Sequence, residues 1–374
     1  MTTETSQIRY WDYLAGYSSH RDDYLRAVEE VFSSGRLILG QQVATFEERL
    51  AEYCGVCSAV GVNSCTDAIF LALKALDIGA GDEVITVSNT AVPTVAAIRA
   101  AGAVPVFVDV EEDTFLMDVT VVAEKLSDRT RCIVPVHLCG QMVDMDPLLD
   151  LARRNDLRIV EDCAQACGAT YRGKRAGSLG DAGAFSFYPT KILGAFGDGG
   201  AVTASAPELA ARLKRLRMYG METGYYSEEE GYNSRLDEVQ AAILNFRLPL
   251  VDVAVELRRR IAGIYDQGLA GVDGIALPAV REGNTHQYYL YTIRTERRDA
   301  LMAFLAEQGV ESRINYPWPV HLMRGYSFLG GREGDLPVTE RLAKTILSLP
   351  IYPEMPLEDA LRVVDLVRRF FRNS

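Results

Sequence analysis

Glu83-Val-Ile-Thr-Val87, Val104-Pro-Val-Phe-Val-Asp-Val110, Cys132-Ile-Val-Pro-Val136 and Leu157-Arg-Ile-Val-Glu-Asp162 decide the fold of this 374-residue chain. Each is a short run of β-branched and aliphatic residues with little polar alternation, so both faces of each predicted strand require cover. Helical patterns lie between them, starting at about Thr94, near Val121 and over Pro147–Arg154. Ahead of them, Thr45–Tyr53 is amphipathic and Ala68–Leu76 reads as an apolar helix. This alternation predicts an α/β fold, a mostly parallel sheet between layers of helices. Ligands in such sheets bind beyond the carboxyl ends of the strands, which directs attention to the residues that follow each run.

Further strands are expected at Gly183-Ala-Phe-Ser-Phe187 and Gly200-Ala-Val-Thr203. Beyond them the pattern turns helical, at 206–218 and at 235–268 with a break near Pro249. The tail reads as a strand over Tyr288–Thr295 and helices at about 298–308, 337–347 and 357–371. The length exceeds what one core usually organises. Two domains are therefore expected: a large one over 1–250 and a smaller α+β unit over 251–374.

Hydrophobic residues make up 48% and charged residues 24%, an ordinary globular balance, with net charge −12 and a pI near 5.0. An acidic surface repels phosphate backbones, so nucleic acid is not an expected partner. Met1–Arg9 has no basic segment leading into an apolar run, and no apolar stretch is long enough for a bilayer. A cytoplasmic protein without a membrane partner is expected. The seven cysteines are an odd set in a long chain and do not read as a disulfide framework. Cys54-Gly-Val-Cys57 lacks a second such pair, and there are only four histidines, so buried thiols are expected there and at Cys163 and Cys167. No metal site is expected.

Three segments carry chemistry. Lys191 follows a strand in Ser186-Phe-Tyr-Pro-Thr-Lys191 and precedes four glycines between 194 and 200. A lysine so placed can form a Schiff base, although a solvated lysine beside a turn reads equally well. Asp162 ends a buried strand, where it can hold a pyridine nitrogen protonated or simply cap the next helix. Gly61-Val-Asn-Ser-Cys-Thr-Asp67 opens a helix, whose free N–H groups accept a phosphate or are merely capped.

Together and in this order, the motifs resemble the DegT/StrS family of nucleotide-sugar aminotransferases, which are fold-type I pyridoxal-phosphate enzymes. Matching stretches run from Leu37-Ile-Leu-Gly40 to Leu347-Ser-Leu-Pro-Ile-Tyr-Pro353. They include Val134-Pro-Val-His-Leu-Cys-Gly140, Val160-Glu-Asp-Cys-Ala-Gln165, Phe185-Ser-Phe-Tyr-Pro-Thr-Lys191, Gly197-Asp-Gly-Gly-Ala-Val202, Tyr232-Asn-Ser-Arg-Leu-Asp-Glu238 and Tyr316-Pro-Trp-Pro-Val-His321. The resemblance implies a mostly parallel seven-stranded sheet and pyridoxal 5′-phosphate as cofactor. It makes Lys191 the Schiff-base lysine and Asp162 the partner of the ring nitrogen. It gives Gln165 the cofactor's phenolic oxygen, and gives the phosphate to Ser186, Cys65 and Thr66. Asn233 resembles the residue that reaches the phosphate of a neighbouring subunit, which implies a homodimer with shared sites.

Some positions depart from the family pattern. Cys65 stands where glycine is common, and Cys167 where histidine is frequent. Ala91 occupies a place often held by an aromatic ring, leaving Asn89 or Val92 to cover that face of the cofactor. His137 is expected to make a structural hydrogen bond, His321 and Tyr316 are candidate substrate contacts, and Arg258–Arg260 reads as a solvated helix face. The resemblance implies transfer of an amino group from an amino acid, L-glutamate in most of the family, to a keto-deoxysugar on a nucleotide. Gly61–Ser64 and Tyr316–His321 are most similar to enzymes aminating C3 of dTDP-linked sugars. C4 amination of a dTDP- or UDP-sugar and a non-catalytic cofactor-binding regulator are the competing readings.

Overall fold

A computed structural model describes residues 7–372. Seven strands form the central sheet: β1 (Ser58–Val62), β2 (Glu83–Val87), β3 (Val104–Val108), β4 (Thr130–Ile133), β5 (Arg158–Asp162), β8 (Ala182–Ser186) and β9 (Gly200–Ala204). Two short strands, β6 (Thr170–Tyr171) and β7 (Lys174–Arg175), form a hairpin between β5 and β8. The order across the sheet is β1-β9-β8-β5-β4-β2-β3. Pairing is parallel from β3 through to β8, and only β9 runs against its two neighbours.

Successive strand residues enter opposite cores, as the unbroken apolar runs predict. Val160, Cys132 and Val84 pack with α4 (Cys65–Ala75), α5 (Val92–Ala100) and α7 (Pro207–Leu216) on one face. Ile159, Ile133 and Ile85 pack with α3 (Gln41–Cys54), α6 (Met145–Arg154) and α8 (Glu238–Arg247) on the other. The predicted break at Pro249 is a 3₁₀ turn over Leu248–Leu250, after which α9 (Val251–Leu269) leads into a third core. There Ile261 and Tyr265 of α9 meet Val363 and Val367 of the C-terminal helix Leu357–Arg372 and the strand pair Tyr291–Arg294 and Ile346–Leu349. Ile8 joins this third core, whereas Tyr10 packs against the core between the sheet and α3, α6 and α8. No helix among the described residues is long and apolar enough to cross a membrane.

Four local expectations need correction. The helix near Val121 is only a 3₁₀ turn, Val122–Lys125, where the β-branched run from Val119 to Val122 disfavours a longer helix. The helix expected over 337–347 stops at Thr345, because Ile346–Leu349 is drawn into pairing with Tyr291–Arg294. Cys54 is buried as expected, but Cys57 is exposed at the entry to β1. Arg258 is not on a solvated face: it is 2% exposed and donates to the carbonyls of Tyr288 (3.1 Å), Tyr289 (3.3 Å) and Ile351 (2.8 Å). Three inward carbonyls that lack helix or strand partners explain why a cation is drawn into the interior.

Helix α3 starts at Gly40, which has no capping side chain. The carboxylate of Glu238, buried at the start of α8, takes that part by accepting from the N–H groups of Gly40 (2.7 Å), Gln42 (2.9 Å) and Val43 (2.8 Å). Negative charge at a helix N-terminus is also favoured by the helix dipole. Glu238→Ala is expected to lower the unfolding free energy by roughly 2–3 kcal/mol, because buried donors lose a charged acceptor. Urea denaturation of the variant checks this, with a change under ~0.5 kcal/mol counting against the cap.

Candidate active site

The sheet gathers the candidate residues at one edge. β5 ends at Asp162 and its parallel neighbour β8 ends at Ser186. β9 starts there, with Gly200 opposite Ser186, and β1 ends beside it, with Val62 opposite Gly200. Asn63 and Ser64 follow β1 and lead into α4. The segments found separately in the sequence are thus adjacent through strand register.

Asp162 lies at the bottom of this edge, 4% exposed. Its Oδ2 accepts from Thr94 Oγ1 at 2.7 Å, and its Oδ1 accepts from the Ala164 N–H at 3.1 Å and faces Cys65 Sγ at 4.0 Å. Thr94 Oγ1 is in turn 2.8 Å from Thr90 Oγ1, four residues back on the chain and just ahead of α5. No lysine, arginine or histidine among the described residues forms an ion pair with Asp162. Burial pushes its pKa up, more than the bonds from Thr94 and Ala164 and the charge of Lys191 pull it down. A carboxylate buried in this way is costly unless a cation meets it.

Immediately next to Asp162, Glu161 points to the other side of β5 and is fully enclosed. Its oxygens accept from His137 Nε2 (2.9 Å) and from the N–H groups of Gly177 (3.0 Å), Leu179 (2.7 Å) and Gly180 (2.8 Å). Burial alone would raise the Glu161 pKa, but the His137 interaction and the backbone donors outweigh it and hold it below the usual carboxylate range. His137 Nδ1 accepts from the Val143 N–H at 3.2 Å, so Nε2 carries the proton given to Glu161. The His137 N–H also binds the Asp162 carbonyl at 3.0 Å. The expected structural role of His137 therefore has a specific content: it fixes the backbone from which Asp162 projects. Cys163 Sγ approaches this pair closely enough for a three-ligand metal set, yet both nitrogens of His137 and both oxygens of Glu161 are already engaged.

Lys191 Nζ lies over the ring of Tyr289, 4.4 Å from its centroid, and has no acidic partner among the described residues. Tyr289 is held by a 3.1 Å contact between its hydroxyl and Thr190 Oγ1. At the start of α4, Ser64 caps the Asp67 N–H at 3.1 Å, which leaves the first helical N–H groups, of Cys65 and Thr66, without helical acceptors. A Cβ on Gly200 would come within 2.4 Å of the Ser64 carbonyl carbon and 2.8 Å of the Cys65 nitrogen. Glycine is required for this close approach, which brings Ser186 to the helix start. Ser186 Oγ accepts only a long 3.3 Å bond from the Tyr188 N–H. The Cys65 thiol, in the place of the family's glycine, turns inward to the Ala184 carbonyl (3.5 Å) as well as to Asp162.

Gln165 links two further segments. Its Oε1 accepts from the Cys139 N–H at 2.7 Å and its Nε2 donates to Tyr316 Oη at 2.9 Å. Tyr316 is thereby brought to the edge of the site. His321 is not: it is 2% exposed, with Nδ1 on Ser88 Oγ (2.8 Å) and Nε2 on Glu340 (3.2 Å). One ring nitrogen fastens the 316–321 loop to Ser88 after β2 and the other to Glu340 on the helix Pro337–Thr345, which leaves none for a substrate. Asn89 is buried with its amide 3.5 Å from the Phe115 carbonyl, whereas Val92 is exposed. Asn233 is exposed at the surface. Thr94 and Tyr289 were missed in the sequence, because a threonine in a first helical turn and a tyrosine in the aromatic run ahead of the strand Tyr291–Arg294 carry no distinguishing pattern.

The donor set fits pyridoxal phosphate. A buried carboxylate without a counter-ion suits a pyridinium nitrogen, unspent N–H groups beside Ser186 suit a phosphate, and an amine without an acidic partner suits a carbonyl. Residues 18–368 match the DegT/DnrJ/EryC1/StrS aminotransferase family. The chain is 52% identical to a dTDP-3-amino-3,4,6-trideoxy-alpha-D-glucose transaminase of Micromonospora megalomicea subsp. nigra, over 96% of this chain and 97% of that one. It is 46% identical to the enzyme of the same name from Streptomyces venezuelae, over 98% and 97%. A solved structure of S. venezuelae DesV in complex with a ketimine intermediate superposes with a TM-score of 0.96, at 46% identity, covering 98% of this chain and 99% of that one. Fold, site and similarity over nearly the whole length agree: the chain is an aminotransferase and belongs to the DegT/DnrJ/EryC1/StrS family.

Proposed function

We propose that the chain transfers an amino group from L-glutamate to C3 of a dTDP-linked keto-deoxysugar, with pyridoxal 5′-phosphate carried on Lys191. The observation that carries the cofactor reading is the buried, unpaired carboxylate of Asp162 at the strand edge shared with Ser186 and α4. The names of the relatives at 52% and 46% identity support C3 and the dTDP group.

When bound, the cofactor supplies an electron-withdrawing ring that takes up charge released at the substrate carbon. Asp162 keeps the ring nitrogen protonated, and Thr94 holds the carboxylate in the required orientation. Gln165 has a second amide hydrogen for the phenolic oxygen while its first stays on Tyr316. Ser186 and the N–H groups of Cys65 and Thr66 take the phosphate. Lys191 Nζ would act as the base that takes the proton from the donor's α-carbon, a role that requires the neutral amine. Asn233, exposed on the surface, serves the phosphate of a second subunit in a homodimer with shared sites. This reading places the enzyme in the cytoplasm.

The carbon is tested on protein converted to its amino form with glutamate. Offered a panel of nucleotide sugars, it should regain its yellow absorption with a 3-keto dTDP-sugar. Return with only 4-keto sugars would move the reaction to C4. Lys191→Ala should keep the fold by circular dichroism and lose turnover by more than about a thousandfold, as expected for loss of the acid–base group; near-normal turnover would remove Lys191 from the chemistry. Thr94→Val should lower kcat by about ten- to a hundredfold (~1.5–3 kcal/mol, one hydrogen bond to a charged group) and shift the cofactor absorption band. Thr94→Ser should restore both, and an unshifted band with full activity would show that Thr94 does not act on Asp162. Asn233→Ala should weaken cofactor binding about tenfold (~1.4 kcal/mol) in an equilibrium dialysis measurement. Unchanged affinity would remove Asn233 from the phosphate.

A further inference from the structure

Arg258 stands apart among the buried charges. Arg217, the other buried arginine of the described residues, is paired with Glu47. Arg258 is more deeply enclosed, and no carboxylate among the described residues is within ion-pair reach. Its Nη1 is shared by three backbone carbonyls, and its Nε is buried without an acceptor. Burial pushes the guanidinium down to about 10, with Glu354 close enough to act by charge but not as a partner. The group is therefore cationic at neutral pH, and carbonyl dipoles alone offset the loss of water around it. Such a charge is expensive unless an anion completes its surroundings.

A cavity of about 250 Å³ supplies the place for that anion. Arg258 and Arg313 line it, together with Tyr10, Trp11, Thr190 and Tyr289. The acid in its wall, Glu311, already accepts from the Tyr10 N–H at 3.0 Å and from Gln7 Nε2 at 3.1 Å. Tyr289 is the ring beneath Lys191 Nζ, so a ligand in the cavity is one aromatic ring away from the reacting amine.

We propose that Arg258 anchors an oxyanion of a substrate in this cavity: a carboxylate of the amino-acid donor or a phosphate of the nucleotide. The proposal rests on the aminotransferase reading, whose two substrates each carry such a group. Arginine suits the task because Nη2 can donate to an oxyanion while Nη1 stays on the carbonyls.

The test is isothermal titration of the cofactor-loaded protein, without turnover, with 2-oxoglutarate in one arm and dTDP in the other. Because nothing is converted, an error in the aminated carbon leaves the measurement intact. The wild type should bind at least one of the two anions. Arg258→Met should weaken that binding by about tenfold or more, the scale of losing a charge-assisted contact. The arm that weakens identifies the source, and weakening of both assigns a shared anion position. Arg258→Lys keeps the charge and serves if the methionine variant fails to fold. It should bind the same anion measurably more weakly and raise KM for that substrate, with kcat little changed. Equal affinities in wild type and variants would reduce Arg258 to a tether for three carbonyls and overturn the proposal. Failure of both anions to bind the wild type would overturn it regardless of the variants.

Discussion

The site is organised by one electrostatic constraint, a buried carboxylate that no cation among the described residues meets in an ion pair. Asp162 tolerates this because Thr94 and the Ala164 N–H donate to it, but those bonds do not cancel the cost of burial. A pyridinium nitrogen would. The burial that makes this carboxylate costly also suits it to a cofactor whose ring works only when protonated.

Much of the surrounding structure keeps that carboxylate in place. Its neighbour Glu161 is clamped on the opposite face of β5 by His137 and three backbone N–H groups. His137 also binds the Asp162 carbonyl, so the two acids at the strand end are fixed from both sides of the sheet. Thr94 comes from the helix after β2, and its hydroxyl is positioned by Thr90. Supporting groups of this kind decide whether a charged residue holds its productive geometry. The antiparallel strand β9 contributes in another way, since only glycine at 200 lets the start of α4 approach Ser186.

The sheet was legible because its strands are buried on both faces, and burial on both faces leaves unbroken apolar runs. The helix near Val121 was not, because four residues of 3₁₀ turn carry no periodicity to distinguish them from a longer helix. Lys191, Asp162, Gln165 and Ser186 emerged from the sequence as an ordered set, and strand register explains why residues far apart in the chain meet. Arg258 was misread for an equally physical reason. Three consecutive arginines on a helix look like a solvated face, and the carbonyls that draw one of them inward belong to distant segments. His321 was misread similarly, because its partners Ser88 and Glu340 are remote in sequence.

The central claim is that the Asp162 carboxylate exists to keep a ring nitrogen charged. The most direct measurement is the ¹⁵N chemical shift of the ring nitrogen in isotope-labelled pyridoxal phosphate bound to the protein. The account predicts a protonated pyridinium signal across neutral pH in the wild type, and its replacement by a neutral pyridine signal in Asp162→Asn. A neutral pyridine signal in the wild type would contradict it.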